Sequence, residues 1–188
     1  MPSLWLDGIP EGPRLYETAA IATYLDGHLN PDSYDDGSLL LTDDLTSNAS
    51  VQQWMSVHSS YFKPAMHPLY FEQVLKKRYN GGEPDEAVVA KSRLETGKVL
   101  DVLEETLNHA HTSESGVSSV SDQYIVGSRF SLADIYFAPE FEILRKIAPD
   151  LLEKSVRPNL AAWSSLVSVR PSWADNMEQW QNFEAFKV

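Results

Sequence analysis

The sequence predicts a mainly α fold, in which a short strand pair and one helix precede a larger all-helical region. Three observations carry this. Apolar residues recur at helical spacing in four stretches, within residues 47–62, 88–107, 130–144 and 158–167. Strand-like runs are confined to the first 16 residues. Ser131 and Asp134, three apart and ahead of an apolar run, carry the signature of a helix start.

Ser3 to Leu6 reads as a strand, Gly8 to Pro13 is dense in turn formers, and Arg14-Leu15-Tyr16 reads as the returning strand of a hairpin. Thr18 is placed to cap a helix that buries Ala19, Ile21, Ala22 and Leu25 and stops at Gly27. A hairpin and one helix are marginal alone, so this fragment must lean on something larger. The following stretch carries Asp32, Asp35, Asp36, Asp43 and Asp44 and reads as a linker. This divides the chain into residues 1–29, a linker over 30–46, and a helical domain over 47–188.

From Ser47 the residues Val51, Trp54, Met55, His58, Tyr61 and Phe62 share one broad helical face, and Pro64 and Pro68 predict a kink or break after it. After Gly81-Gly82, Pro84 suits the first turn of a long helix whose face carries Val88, Ser92, Val99, Leu103 and Leu107, ending near His109. Residues 112–121 are Ser-rich and read as a surface loop. Phe130 is placed to staple onto Ile135, with Leu132, Ile135, Tyr136 and Ile143 expected to face inward. Pro158 opens a helix with Leu160, Trp163 and Val167, and a last apolar face is expected from Trp173, Met177 and Trp180.

Composition narrows the function. With 15 Lys and Arg against 27 Asp and Glu, the net charge of −12 argues against nucleic acid and anionic membrane partners. There is no cysteine, so thiolate nucleophiles, disulfides and thiolate metal sites are excluded. No stretch has the ~20 apolar residues of a membrane span and no signal-peptide pattern opens the chain, which reads as cytoplasmic. His109 and His111 lack a further convincing ligand, so no metal site is assigned. Asp101, Glu104 and Glu105 alternate with the core face of their helix and read as solvated.

Three stretches together resemble the glutathione S-transferase superfamily: Met1-Pro2-Ser3-Leu4 with Leu15-Tyr16-Glu17-Thr18-Ala19-Ala20-Ile21, then Tyr124 to Asp134, then Arg157-Pro158-Asn159-Leu160 through Trp173. Gln53-Trp54-Met55 to Phe62, Pro84 to Val89 and Lys98 to Glu104 are similar to phi-type members. The resemblance implies a thioredoxin-like fragment joined to the all-helical C-terminal domain of a glutathione transferase, glutathione as cofactor, and a homodimer. It implies that Met1, before a cis Pro2, pairs with the glutathione backbone and that Glu17 and Thr18 hold its γ-glutamyl end. The family's first strand, helix and second strand, with the residue that activates the thiol, normally precede this segment, and no residue here inherits that role. Conjugation is therefore expected to be slow even where glutathione binds.

The resemblance also implies a second substrate, an apolar or aromatic small molecule met by Trp54, His58, Tyr61 and Phe62, with His58 and Tyr61 as catalytic candidates. His58 reads two ways, as a general acid or base near neutral pH or as a packing residue on an apolar face. Tyr61 offers a phenolic donor to a substrate carbonyl or a thiol, or an amphipathic side chain at an interface. Two further readings stay open, an isomerase, lyase or cyclase on this fold that does not use glutathione and a non-catalytic binding module, since fold does not dictate function.

Overall fold

In the computed structural model, residues 3–6, 14–28, 40–41, 44–113 and 123–182 are described. Strand β1 (Ser3–Trp5) runs antiparallel to β2 (Arg14–Tyr16), with Ser3 opposite Tyr16 and Leu4 opposite Leu15. The expected turn over residues 8–13 lies outside the described residues. Helix α1 (Thr18–His28) starts at Thr18 itself, so the capping position falls to Glu17 rather than to Thr18. Glu17 makes the sharp turn from strand to helix with φ 72°, and its carbonyl accepts the Ile21 N–H at 3.0 Å. The fragment leans on the helical region as the sequence requires, because Ala19 and Ala22 pack against the main core. Asp26, only 2% exposed, adds a polar tie, accepting the N–H groups of Leu40 and Leu41 at 2.8 and 2.7 Å.

Asp44 opens the helical region by accepting the Ser47 N–H at 2.7 Å, one of the donors that a helix start leaves unpaired. Helix α2 (Leu45–Val57) follows, two residues ahead of the expected start. Pro64 and Pro68 do not break the helix. The backbone widens into a π turn over His58–Phe62, returns to α geometry in α3 (Lys63–Tyr70), widens again over Phe71–Leu75 and ends in α4 (Lys76–Asn80). A proline lacks the N–H that an α turn needs, and a π turn beside it re-registers the ladder. Gly81 stops the run with φ 67°, a left-handed cap that a side chain would strain.

Asp85, whose Oδ1 accepts the N–H groups of Ala87 and Val88, caps α5 (Glu86–Ser113), so Pro84 lies ahead of the first turn rather than within it. Residues 114–122, most of the expected Ser-rich loop, lie outside the described residues. Helix α6 (Leu132–Ile147) has the capping box read from sequence, and a 3₁₀ turn over Pro149–Leu152 leads to α7 (Pro158–Ser168) and α8 (Pro171–Asn182). No helix among the described residues is long and apolar enough to cross a membrane.

The core is one cluster, with Phe62, Leu69, Leu100, Leu103, Phe137 and Leu144 wholly buried. Helix α6 turns Ala133, Phe137, Ala138, Phe141 and Leu144 inward, while Ile135 is 38% exposed, a correction to the expected inward face. The staple geometry explains it: Ile135 lies beside Phe130 at the rim of a groove, outside the packed layer.

Glu104 is the larger correction, while Asp101 and Glu105 stand exposed as expected. Glu104 caps α7 from a neighbouring helix, accepting the Asn159 and Leu160 N–H groups at 2.9 and 2.8 Å and the Asn159 side-chain amide at 2.8 Å. Asp101 accepts from Nε and Nη2 of the buried Arg157, whose Nη2 also donates to the Gly97 carbonyl. Replacing Glu104 with Ala is therefore expected to lower stability by about 1–2 kcal/mol, read by urea denaturation, because two helix-start donors lose their partner. A neutral outcome contradicts the tertiary cap.

Glu72, in the second π turn, ties that turn to the start of α5 by accepting from Lys76 Nζ and the Asp85 N–H, each at 2.7 Å. The Lys76 ammonium, and then the Asp85 N–H, hold its carboxyl below the ordinary carboxylate value. The folded state thus prefers the ionised form, and the stabilisation is complete above that value and lost as pH falls through the carboxylate range. Thermal melts between about pH 6 and pH 3 should show a shallower acid loss for Glu72→Gln than for the parent. Parallel profiles contradict this tie.

Candidate functional site

Pro64 supplies no N–H to the turn before it, and the widened turn at His58–Phe62 closes instead with the Lys63 N–H on the His58 carbonyl. Its ends and its middle face opposite ways. His58 and Phe62 are 5% and 0% exposed, while Ser59, Ser60 and Tyr61 stand outside, Tyr61 at 66%. The turn thus drives two anchors into the core and lifts a phenol into solvent.

The His58 ring lies in an aromatic shell, 5.3 Å from Tyr136 and 5.1 Å from Phe137 in edge contacts and 5.9 Å from Phe62. Its Nε2 is 3.3 Å from Oε1 of Glu140 on α6, at ion-pair range but without hydrogen-bond alignment. Neither imidazole nitrogen has a hydrogen-bond partner among the described residues, and the buried Tyr136 hydroxyl has none either. Burial pushes the Tyr136 phenol above its ordinary value. His58 thus has Tyr136 and Glu140 of α6 as its polar neighbours in an otherwise apolar shell.

Trp54, 6% exposed, packs edge-on against Phe137 at 6.1 Å, and Phe62 lies 5.1 Å from the same ring. Of the four residues expected to meet the second substrate, Trp54, His58 and Phe62 are gathered around Phe137, and Tyr61 alone reaches the surface. Glu17 and Thr18 are exposed at the start of α1. Met1 and Pro2, and with them the expected cis bond, lie outside the described residues.

Sequence reasoning passed over a groove between α6 and α8. It has a volume of about 280 Å³ and is walled by Phe130, Ile135, Pro139, Trp173, Asn176 and Met177. The helical spacing of Trp173 and Met177 was the available signal, since both residues line the groove; the Trp180 side chain and residues 183–188 lie outside the described residues. The Arg170 guanidinium lies 4.0 Å from the Phe130 ring and donates to the Tyr124 hydroxyl at 3.2 Å.

Comparison with known proteins gives this arrangement its relatives. The family model "Glutathione S-transferase, C-terminal domain" matches residues 54–171, from Trp54 to the first residue of α8. A glutathione S-transferase of Hyoscyamus muticus is 33% identical over 165 residues, covering 88% of this chain and 69% of its own length. The chain spans 57–70% of the length of the curated plant relatives it matches. Among solved structures, glutathione transferase F7 of Populus trichocarpa superposes with a TM-score of 0.75 at 28% identity, covering 97% of this chain and 76% of that one. A glutathione S-transferase-I bound with lactoylglutathione superposes at 0.65 with 25% identity, over 88% of this chain and 69% of that one. The capped α6, the α7 seated on α5 and a family match running from α2 into α8 agree, and the chain belongs to the glutathione S-transferase family.

Proposed function

We propose that the chain binds glutathione through the start of α1 and brings it to an apolar or aromatic small molecule, by glutathione addition or a related glutathione-dependent step. The observation that carries the reading is Glu17. A non-glycine residue at φ 72° is uncommon and costly, and such strain gathers at ligand sites where the surroundings impose it. Here it leads into the first turn of α1, where a helix start leaves N–H groups without intrahelical partners and Thr18 is exposed, the arrangement that suits a carboxylate. The γ-glutamyl end of glutathione carries one, and a transferase similar to this chain binds lactoylglutathione.

Tyr61 is the substrate-side residue in this reading, a solvent-facing phenol on a rigid turn that can orient a thiol or a carbonyl. His58 is too enclosed to meet a substrate directly and contributes through the turn it anchors. Met1 and Pro2 complete the glutathione contact. The division into a glutathione-facing fragment over residues 1–29, a linker over 30–46 and a helical domain over 47–188, working as a cytosolic homodimer, belongs to the same proposal.

Calorimetric titration with glutathione tests it. Thr18→Ala is expected to weaken binding about tenfold with little change in melting temperature, since one charge-assisted hydrogen bond is lost from an exposed position. Glu17→Gly should weaken binding while leaving the melting temperature equal or higher, because glycine adopts this φ without strain. No binding heat in the parent chain, or binding unchanged in both variants, contradicts the proposal.

A further inference from the structure

We propose that Glu140 is a positioning residue for the widened turn at residues 58–62: its carboxylate latches the buried His58 ring and so fixes where Tyr61 points. The inference rests on the reading of Tyr61 as the substrate-side phenol, and its first half stands independently of it.

A π turn is a rare conformation that persists where neighbouring groups over-determine it. Two anchors hold this one. Phe62 at its C-terminal end is wholly buried against Phe137 and Phe141, an apolar anchor with no orientation to choose beyond packing. His58 at its N-terminal end is different, because its ring has two polar edges in an apolar shell and a flip about its bonds exchanges them. The charged group facing it from α6 is Glu140, one helical turn beyond Tyr136 on the same face. With Glu140 in place one imidazole edge has a favourable partner at 3.3 Å, and the ring has a reason to hold one orientation. Without it that edge loses the carboxylate at 3.3 Å as well, and a loosened turn relieves the cost by letting the ring move toward water.

Tyr61 inherits that choice through the backbone. It lies three residues after His58 inside the turn, and the His58 carbonyl is the acceptor that closes the turn on the Lys63 N–H. Reorienting His58 therefore disturbs a hydrogen bond that closes the turn, and with it the direction of the Tyr61 side chain. Glu140 does this from α6, whose own position is fixed by its capping box and its buried face.

The test uses the full chain with 3-fluorotyrosine at position 61, hydrogen exchange at residues 59–63, and affinity for S-hexylglutathione. Glu140→Ala is expected to speed exchange at Lys63 by about tenfold and to broaden or split the fluorine resonance, with exchange at Phe141 and Leu144 changed far less. Glu140→Gln keeps an oxygen acceptor and is expected to restore most of both signals. S-hexylglutathione affinity should fall several-fold in Glu140→Ala, and that fall should vanish when Tyr61→Ala is already present. Exchange rising evenly along α6, an unchanged fluorine signal, or an affinity loss indifferent to Tyr61 overturns the latch. If the parent chain binds no S-hexylglutathione, the glutathione reading fails, and exchange with the fluorine signal decides the latch alone.

Discussion

The carboxylate of Asp134 is the point on which the helical region turns. It is wholly buried, and four donors converge on it: the Ile125 N–H at 3.0 Å, the Ser131 N–H at 2.8 Å, the Ser131 hydroxyl at 3.0 Å and the Trp163 indole N–H at 2.7 Å. Burial pushes its carboxyl above the ordinary value and each donor pulls the other way by favouring the charged form. These contacts tie together the incoming loop, the first turn of α6 and the middle of α7. The Trp163 ring held in this way packs edge-on at 4.8 Å against Phe141, so a local cap becomes a packing constraint on the core.

A fixed α6 makes the rest of the site possible. Its inner face presents Phe137 and Phe141 to Phe62, and Tyr136 with Glu140 to His58, so the helix that follows α2 must meet a rigid wall. Pro64 removes the donor that would let the chain pass that wall as a regular α-helix. The widened turn reconciles the two demands, keeping both anchors buried and placing Tyr61 outside. On the far side of α5, Glu104 and Arg157 do for the start of α7 what Asp134 does for the start of α6, and α7 is thereby held from both of its neighbours.

What the sequence disclosed follows the range of the interactions involved. The capping box was legible because its partners are three residues apart, and the strand pair and the helix starting at Pro158 were legible from equally local rules. Glu104 looked solvated because its partners stand 55 and 56 residues away, beyond any periodicity argument. The prolines correctly marked a disturbance, but sequence alone does not say whether a helix breaks or widens, since that depends on α6. The same widening explains Tyr61: a 3.6-residue wheel groups it with His58 and Phe62, whereas a wider turn lets it lag behind them and face outward. Ile135 was misplaced for a related reason, because a stapling residue packs on its partner rather than into the core. Glu17 carried no signal of its left-handed backbone, which arises from the turn between β2 and α1.

The most direct measurement is the stability of Asp134→Asn by urea denaturation, with native-state hydrogen exchange on the same protein. Asparagine keeps the shape but turns one acceptor oxygen into a donor, facing three N–H donors and a hydroxyl. A loss of about 3 kcal/mol or more, with the amides of α6 and α7 opening together, is the result this account requires. A loss below about 1 kcal/mol, or an opening confined to the loop around Ile125, contradicts the central place given to this carboxylate.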